Sequence, residues 1–175
     1  LVNKRRTWII FMVNPDGLQH DLGGDPYRRW RPNRQPIPGS SKVGTDVNRN
    51  YGYKWGCCGG SSEKPGAWNY RGPAAWSTPE ARAVRDFVNG RVVDGTQRIR
   101  THITFHTAGE MVLWPYAYTR QDRPPDMTSL DLSAFRAMGR SMAATNGYRP
   151  MQSSDLYPSD GDLIDWMYHR HRIFS

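Results

Sequence analysis

The sequence predicts an α/β fold. Three observations carry the prediction: short apolar runs with strand character, segments with helical spacing between them, and a long Gly-, Pro-, Asn- and Arg-rich region joining them. The first run, Thr7 to Val13 (TWIIFMV), reads as a buried strand stopped by a turn at Asn14-Pro15-Asp16-Gly17. Leu18 to Gly72 shows little periodicity, and a loop region of that length inside a compact domain generally carries function. Thr78 then caps a helix that opens with Pro79, buries Ala83, Val84, Phe87 and Val88, and stops at Asn89-Gly90. Ile99, Thr101, Ile103 and Phe105 alternate with Arg100, His102, Thr104 and His106, which predicts a strand delivering His106 to its C-terminal end. Met111 to Trp114 is a further short strand. Leu132, Phe135, Met138, Met142 and Ala143 form an apolar helical face that closes on Asn146-Gly147. Asp162 to His169 gives a third helix with Leu163, Trp166 and Met167 inward, and Ile173-Phe174 begins another apolar strand.

The 175 residues are enough for one domain with a real core and too few for two. Charged residues make up 23% and hydrophobic ones 37%, with seven Trp, nine Tyr and five Phe, a globular profile that excludes intrinsic disorder. The net charge is +8, but the basic residues are spread from Lys4 to Arg172 without a run that would make a nucleic-acid stripe. No apolar stretch approaches the roughly 20 residues of a membrane span, and no signal-peptide pattern opens the chain. Cys57 and Cys58 are adjacent, so they cannot staple distant segments together, and they either close a ring with each other or stay reduced.

The residues with most chemistry are Arg28, Arg31, Arg34, Asn48, Arg49 and Asn50, set among Tyr27, Trp30 and Tyr51. Guanidinium forks pair with carboxylates through two parallel hydrogen bonds, and a neighbouring Asn amide adds a donor, so the cluster suits an anionic ligand. A solvated basic loop would have the same composition. His106 at a strand end is a candidate metal ligand, whereas His169 and His171 lie two residues apart, the wrong spacing for one helical face.

Taken in order, Asn14-Pro15-Asp16-Gly17, Arg28-Arg29-Trp30-Arg31, Gly44-Thr45-Asp46-Val47-Asn48-Arg49-Asn50-Tyr51, Phe105-His106-Thr107 and Asp160-Gly161-Asp162-Leu163-Ile164-Asp165-Trp166 resemble the zinc carboxypeptidase (funnelin) family. Lys54-Trp55-Gly56-Cys57-Cys58-Gly59-Gly60-Ser61-Ser62 and Ser154-Asp155-Leu156-Tyr157 are most similar to the secreted bacterial carboxypeptidase T-like members. The resemblance implies a mixed β-sheet flanked by helices, of which residues 1–175 are the central portion of one catalytic domain. It implies zinc, with His106 as one ligand and Asp46 as a carboxylate behind an upstream zinc-bound His. It gives Arg31 the role of polarising the scissile carbonyl, Asn48 and Arg49 the grip on the substrate's terminal carboxylate, Arg28 a part in carboxylate entry, and Tyr157 that of a mobile cover. Ile164 and Asp162 fall on the wall of the pocket for the last side chain, which implies acceptance of both apolar and basic C-terminal residues.

The family's His-x-x-Glu and its general-base Glu have no counterpart in this sequence, so the zinc site is incomplete and the isolated chain is expected to be inactive. Ala108-Gly109 also departs from the family, at a contact for residues preceding the scissile bond. The function expected of the parent protein is zinc-dependent hydrolysis of C-terminal peptide bonds by a secreted monomer whose partners are peptide or protein C-termini, with no nucleic acid and no membrane. The alternative is a non-catalytic module that captures C-terminal carboxylates. Both readings require that Arg49, Asn48 and His106 line one cavity.

Overall fold

The computed structural model of the chain describes residues 4–175. Its elements in order are α1 (Pro15–Leu22), a 3-10 turn (Val47–Arg49), α2 (Pro79–Asn89), β1 (Val92–Val93), β2 (Thr96–Gln97), β3 (Met111–Trp114), α3 (Ser129–Ala143), β4 (Arg149–Gln152), α4 (Ser153–Leu156) and α5 (Leu163–His171). Helices and strands are mixed, and the sheets are small. β1 and β2 form an antiparallel hairpin, while β3 and β4 pair in parallel from Met111 opposite Arg149 to Trp114 opposite Gln152.

The helices start where the sequence says they should. Thr78 accepts a hydrogen bond from Ala81 N at the head of α2, Thr128 does the same for Asp131 N in α3, and Asp162 caps α5 through Ile164 N. The motif Asn14-Pro15-Asp16-Gly17 is not the expected turn. Asn14 Oδ1 accepts from Gly17 N at 3.0 Å and Pro15 occupies the first helical position, so the same four residues open α1.

Two apolar clusters make the core. Val47, Tyr51, Ala81, Val84, Val88, Leu163, Trp166, Met167 and Ile173 fill the space between α2, the 3-10 turn and α5. Trp114, Tyr116, Met127, Leu132, Phe135 and Tyr168 do so between β3, α3 and α5. Helix α5 serves both, because every residue from Leu163 to Tyr168 is buried. On α3 the buried face is Leu132, Phe135, Gly139 and Ala143, and Met138 and Met142 are exposed instead of packed. The Trp114 ring takes that space: a Cβ on Gly139 would come within 2.6 Å of it.

Three expected strands are not formed as ladders among the described residues. The chain from Thr7 to Val13 forms no strand or bridge, and Ile99 to Phe105 meets Phe174 only at one parallel bridge through Thr101, with His102 N donating to Phe174 O and Phe174 N to Arg100 O. Ile9, Phe11, Ile103 and Phe105 are 67, 89, 59 and 92% exposed. A period-two apolar pattern specifies which face a strand would bury. The ladder itself needs a neighbour in register, and neither segment has one here beyond Phe174.

Candidate functional site

The site grows from the short stretch that carries the 3-10 turn. Asp46 is buried; its Oδ1 accepts from Asn48 N at 3.1 Å and so caps the turn, and its Oδ2 accepts from Arg31 Nε at 2.7 Å. Burial alone would lower the pKa of Arg31, and the charge and hydrogen bond of Asp46 outweigh it, so the guanidinium is held above its ordinary value. Arg31 thus stays charged and fixed, with part of its side chain open to solvent.

Asn48 links the turn to the start of α5, donating from Nδ2 to Asp162 Oδ2 at 3.0 Å and accepting at Oδ1 from Leu163 N at 3.0 Å. Arg49 follows, with 1% of its surface exposed. Its Nε donates to Gly60 O at 3.2 Å, its Nη1 to Asn48 O at 2.7 Å, and Nη1 stands 3.8 Å from Asp162 Oδ2. The Tyr157 ring, itself exposed, lies 6.0 Å from the Arg49 guanidinium carbon.

A cleft of about 1200 Å³ is lined by the segments 7–13 and 99–106 and reaches this turn, with Arg31, Asp46, Asn48, His102 and His106 among its lining residues. His106 stands exposed beside Phe105, yet the surrounding protein lowers its pKa, chiefly through desolvation, which the charge of Asp162 opposes and that of Arg31 reinforces. His102, whose Nδ1 lies 2.5 Å from Ser175 Oγ, is pushed down to about 4 by burial and then by His106. Both imidazoles are therefore neutral near pH 7, the form in which a ring nitrogen can take a metal or a proton.

Of the three residues expected to line one cavity, Asn48 and His106 do so, together with Arg31 and Asp46, and Arg49 does not. Arg49 sits directly behind Asn48 and off the lining. Other members of the predicted cluster are placed elsewhere. Arg28 is exposed and donates to the carbonyls of His20 and Gly23 at the end of α1. Arg34 lies over the Trp30 ring at 4.8 Å, and Tyr51 is in the core. Asn50 is fully buried and structural: Nδ2 donates to Arg71 O, Ala74 O and Ser77 Oγ, and Oδ1 accepts from Thr78 N, so it ties the 71–78 loop to the head of α2. Ile164 is buried on α5. Asp162 has both oxygens engaged, Oδ1 by Ile164 N and Oδ2 by Asn48 and by Ser159 Oγ.

Two further carboxylates hold the surroundings in shape. Asp165 is buried and accepts from the backbone N–H groups of Ala117 and Tyr118 at 2.8 and 3.1 Å; desolvation raises its pKa well above the usual range and those bonds only partly counter it. Asp160, also fully buried, accepts from Cys58 N, Gly60 N and Ser61 Oγ. The acceptor role of Asp160 could not be read from sequence, because its partners lie about a hundred residues away. Cys57 and Cys58 are joined as an adjacent-residue disulfide at the exposed tip of that loop.

The whole chain, residues 1–175, matches the zinc carboxypeptidase family model. It is 50% identical over 175 residues to a zinc carboxypeptidase of Saccharothrix mutabilis subsp. capreolus, covering 100% of this chain and 40% of that protein. It is 32% identical to human mast cell carboxypeptidase A (96 and 39% covered) and 31% identical to bovine carboxypeptidase B (99 and 40% covered). The chain therefore spans about 40% of the length of these relatives. Its fold is similar to that of bovine thrombin-activatable fibrinolysis inhibitor in the complex with tick carboxypeptidase inhibitor, with a TM-score of 0.77 and 28% identity over 93% of this chain and 54% of that one. The Helicoverpa armigera carboxypeptidase A gives a TM-score of 0.72 at 27% identity, over 90% of this chain and 38% of that one. Among the described residues no three His, Cys, Asp or Glu side chains converge. They do not by themselves supply the three protein groups that a catalytic zinc takes.

Proposed function

Because the chain belongs to the zinc carboxypeptidase family, we propose that the protein it represents hydrolyses the C-terminal peptide bond of peptides. The observation that carries this reading is the convergence of Asn48, Arg31, Asp46 and His106 on one cleft, with Arg49 immediately behind Asn48. A peptide's terminal carboxylate is anionic and planar, and the Arg49 guanidinium with the Asn48 amide is the donor set proposed for such a group, Arg49 reaching it only when the Asn48 side chain in front of it turns aside. Arg31 is fixed by Asp46 and reaches the same cleft, where a permanent positive charge stabilises oxygen that becomes negative during acyl transfer. Tyr157 lies over Arg49 and is exposed, a position from which it covers a bound C-terminal residue. Arg28, turned back onto α1, contributes only if it swings from its present partners.

His106 is the contribution of this chain to the zinc of the whole protein. On its own, the chain is proposed to bind carboxylate and not to hydrolyse it. The specificity proposed is for both apolar and basic C-terminal residues: Ile164, buried in this arrangement, is the aliphatic side chain at the head of α5, and the negative charge of Asp162 bears on both His106 and Arg31. The whole protein is proposed to act as a secreted enzyme, in keeping with the sequence resemblance; no helix of the described residues is long and apolar enough to cross a membrane.

The test is to incubate the full-length protein with a peptide and with the same peptide as its C-terminal amide, following products by mass spectrometry with and without a zinc chelator. Stepwise loss of single C-terminal residues from the free acid only, abolished by the chelator, is the expected result. Internal cleavage, or equal attack on the amide, would overturn the assignment. Asp162→Asn is expected to lower cleavage of C-terminal Arg relative to C-terminal Leu, and an unchanged ratio removes the dual preference.

A further inference from the structure

We infer that Asp160 and the disulfide-closed Cys57–Cys58 loop act as a splint for Arg49, so that the grip on a substrate's terminal carboxylate depends on a disulfide at the protein surface. The inference rests on the reading of Arg49 as the carboxylate-binding residue and adds what holds it in place.

The chain of contacts is short. Arg49 Nε donates to Gly60 O at 3.2 Å, and Gly60 N donates to Asp160 Oδ2 at 2.9 Å. Cys58 N donates to the same oxygen at 3.1 Å, and Ser61 Oγ hydrogen-bonds Asp160 Oδ1. One fully buried carboxylate thus collects three donors from four consecutive loop residues, the arrangement that orients a loop most strongly. The loop packs directly on the Asp160 segment, where a Cβ on Gly60 would lie 2.5 Å from Ser159 Cα, so this approach requires glycine. The opposite side is closed as well. Tyr51 N donates to Gly161 O at 3.0 Å, and Gly161, at a φ of +65° that favours glycine, has no room for a Cβ beside Arg49 O. Arg49 is therefore held by its side chain through Gly60, and its main chain is packed against Gly161, which the following Tyr51 N–H hydrogen-bonds; Gly161 adjoins Asp160 and Gly60 donates to it.

Cys57 and Cys58 are exposed, and Cys58 supplies one of the three donors. The ring formed by an adjacent-residue disulfide removes rotation at the residues that aim the Cys58 N–H at Asp160. A trialkylphosphine opens it by attack on one sulfur: the S–S bond breaks, the phosphorus takes oxygen from water to become the phosphine oxide, and both sulfurs leave as thiols. With rotation restored, the Cys58 and Gly60 donors no longer face Asp160 together, and Gly60 O no longer fixes Arg49 Nε. Asp160 touches no substrate and acts only through Gly60, which makes it a positioning residue.

The experiment uses the full-length protein and two probes of the same shape, 3-phenylpropanoate and its neutral amide, as competitive inhibitors of hydrolysis of a short peptide. Three perturbations are compared with the untreated protein: phosphine reduction with the released thiols titrated, the Cys57→Ser/Cys58→Ser pair, and Asp160→Asn. Loss of a hydrogen bond that orients a charged group predicts that each lowers the preference for carboxylate over amide by about tenfold and raises KM with kcat unchanged. The serine pair lies at the exposed tip and keeps the inference testable if Asp160→Asn fails to fold. An unchanged preference in both the reduced protein and the serine pair overturns the splint. No preference for carboxylate in the untreated protein overturns the reading of Arg49 and the splint with it.

Discussion

Two walls of the same cleft are built in opposite ways. The wall made by residues 45–51 and 159–166 is closed on itself: Asp46, Asn50, Asp160 and Asp165 are buried, and each engages two or more partners in this chain. In the wall made by residues 7–13 and 99–106, Ile9, Ile10, Phe11, Met12, Ile103 and Phe105 are exposed, and it is steadied by the bridge at Thr101 and by Trp8, Val13 and Ile99 packing inward. The first wall therefore rests on local turns and buried hydrogen bonds, whereas the wall bearing His106 has a single bridge to Phe174 and no strand ladder among the described residues. The contrast teaches that the two roles proposed for these walls, carboxylate recognition and metal ligation, can be perturbed separately.

The largest effect that would break this contrast is expected from Trp166→Ala. Trp166 stacks on Tyr51 at 6.0 Å and meets Trp76 edge-on at 5.1 Å, so truncation should cost roughly 3–5 kcal/mol by urea unfolding. A cost near zero would mean that the binding wall is not held from α5. Asp46→Ala comes next, at about 2 kcal/mol, because it removes the cap of the 3-10 turn and leaves Arg31 without its counter-charge, discounted for the exposed part of that side chain. The same variant should lower hydrolysis by the full-length protein more than it raises KM, and the reverse pattern would sink the role given to Arg31.

The second wall carries its own signature in pH. His102 titrates near 4 in the fold against 6.5 when unfolded, so between those values the unfolded chain binds the extra proton and stability falls as the pH is lowered. Above pH 6.5 this residue contributes no slope, and below about 4 it contributes no further loss. Solvent screening brings the total to on the order of 1–2 kcal/mol, and His102→Gln should flatten the stability profile between pH 6.5 and 4. The smallest effect is expected from Phe105→Ser, within about 0.5 kcal/mol, because that ring is almost fully exposed. A loss of several kcal/mol there would show that the second wall is as packed as the first.

The difference between the walls is also the difference between what sequence could and could not convey. Helices α2, α3 and α5 are legible because their hydrogen bonds and caps are local, and Thr78-Pro79 or Asp162 announces each within a few residues. Helix α1 was equally announced by Asn14-Pro15, which serves as readily for a helix start as for a turn. The continuous apolar run at 7–13 and the period-two run at 99–105 signal strands but name no partner, and among the described residues neither forms a ladder. In the site, Asn48, Arg31, Asp46 and His106 come together as the motifs suggested. Asn50 sits between chemically similar neighbours and yet serves the 71–78 loop, and nothing in its residue type separates it from Asn48. The engagement of Asp160 with Cys58 spans 102 positions, and contacts of that separation leave no local trace.

Helix α5 gives one more result. It contributes buried residues to both apolar clusters, and its first turns also carry Leu163 N, which donates to Asn48 Oδ1, and Asp165, which accepts from the 117–118 backbone. The halves of the interior accordingly cannot melt one after the other. The amide protons of Trp166, Met167 and Tyr168 should be the last to exchange with deuterium, escaping only when the entire domain opens at once.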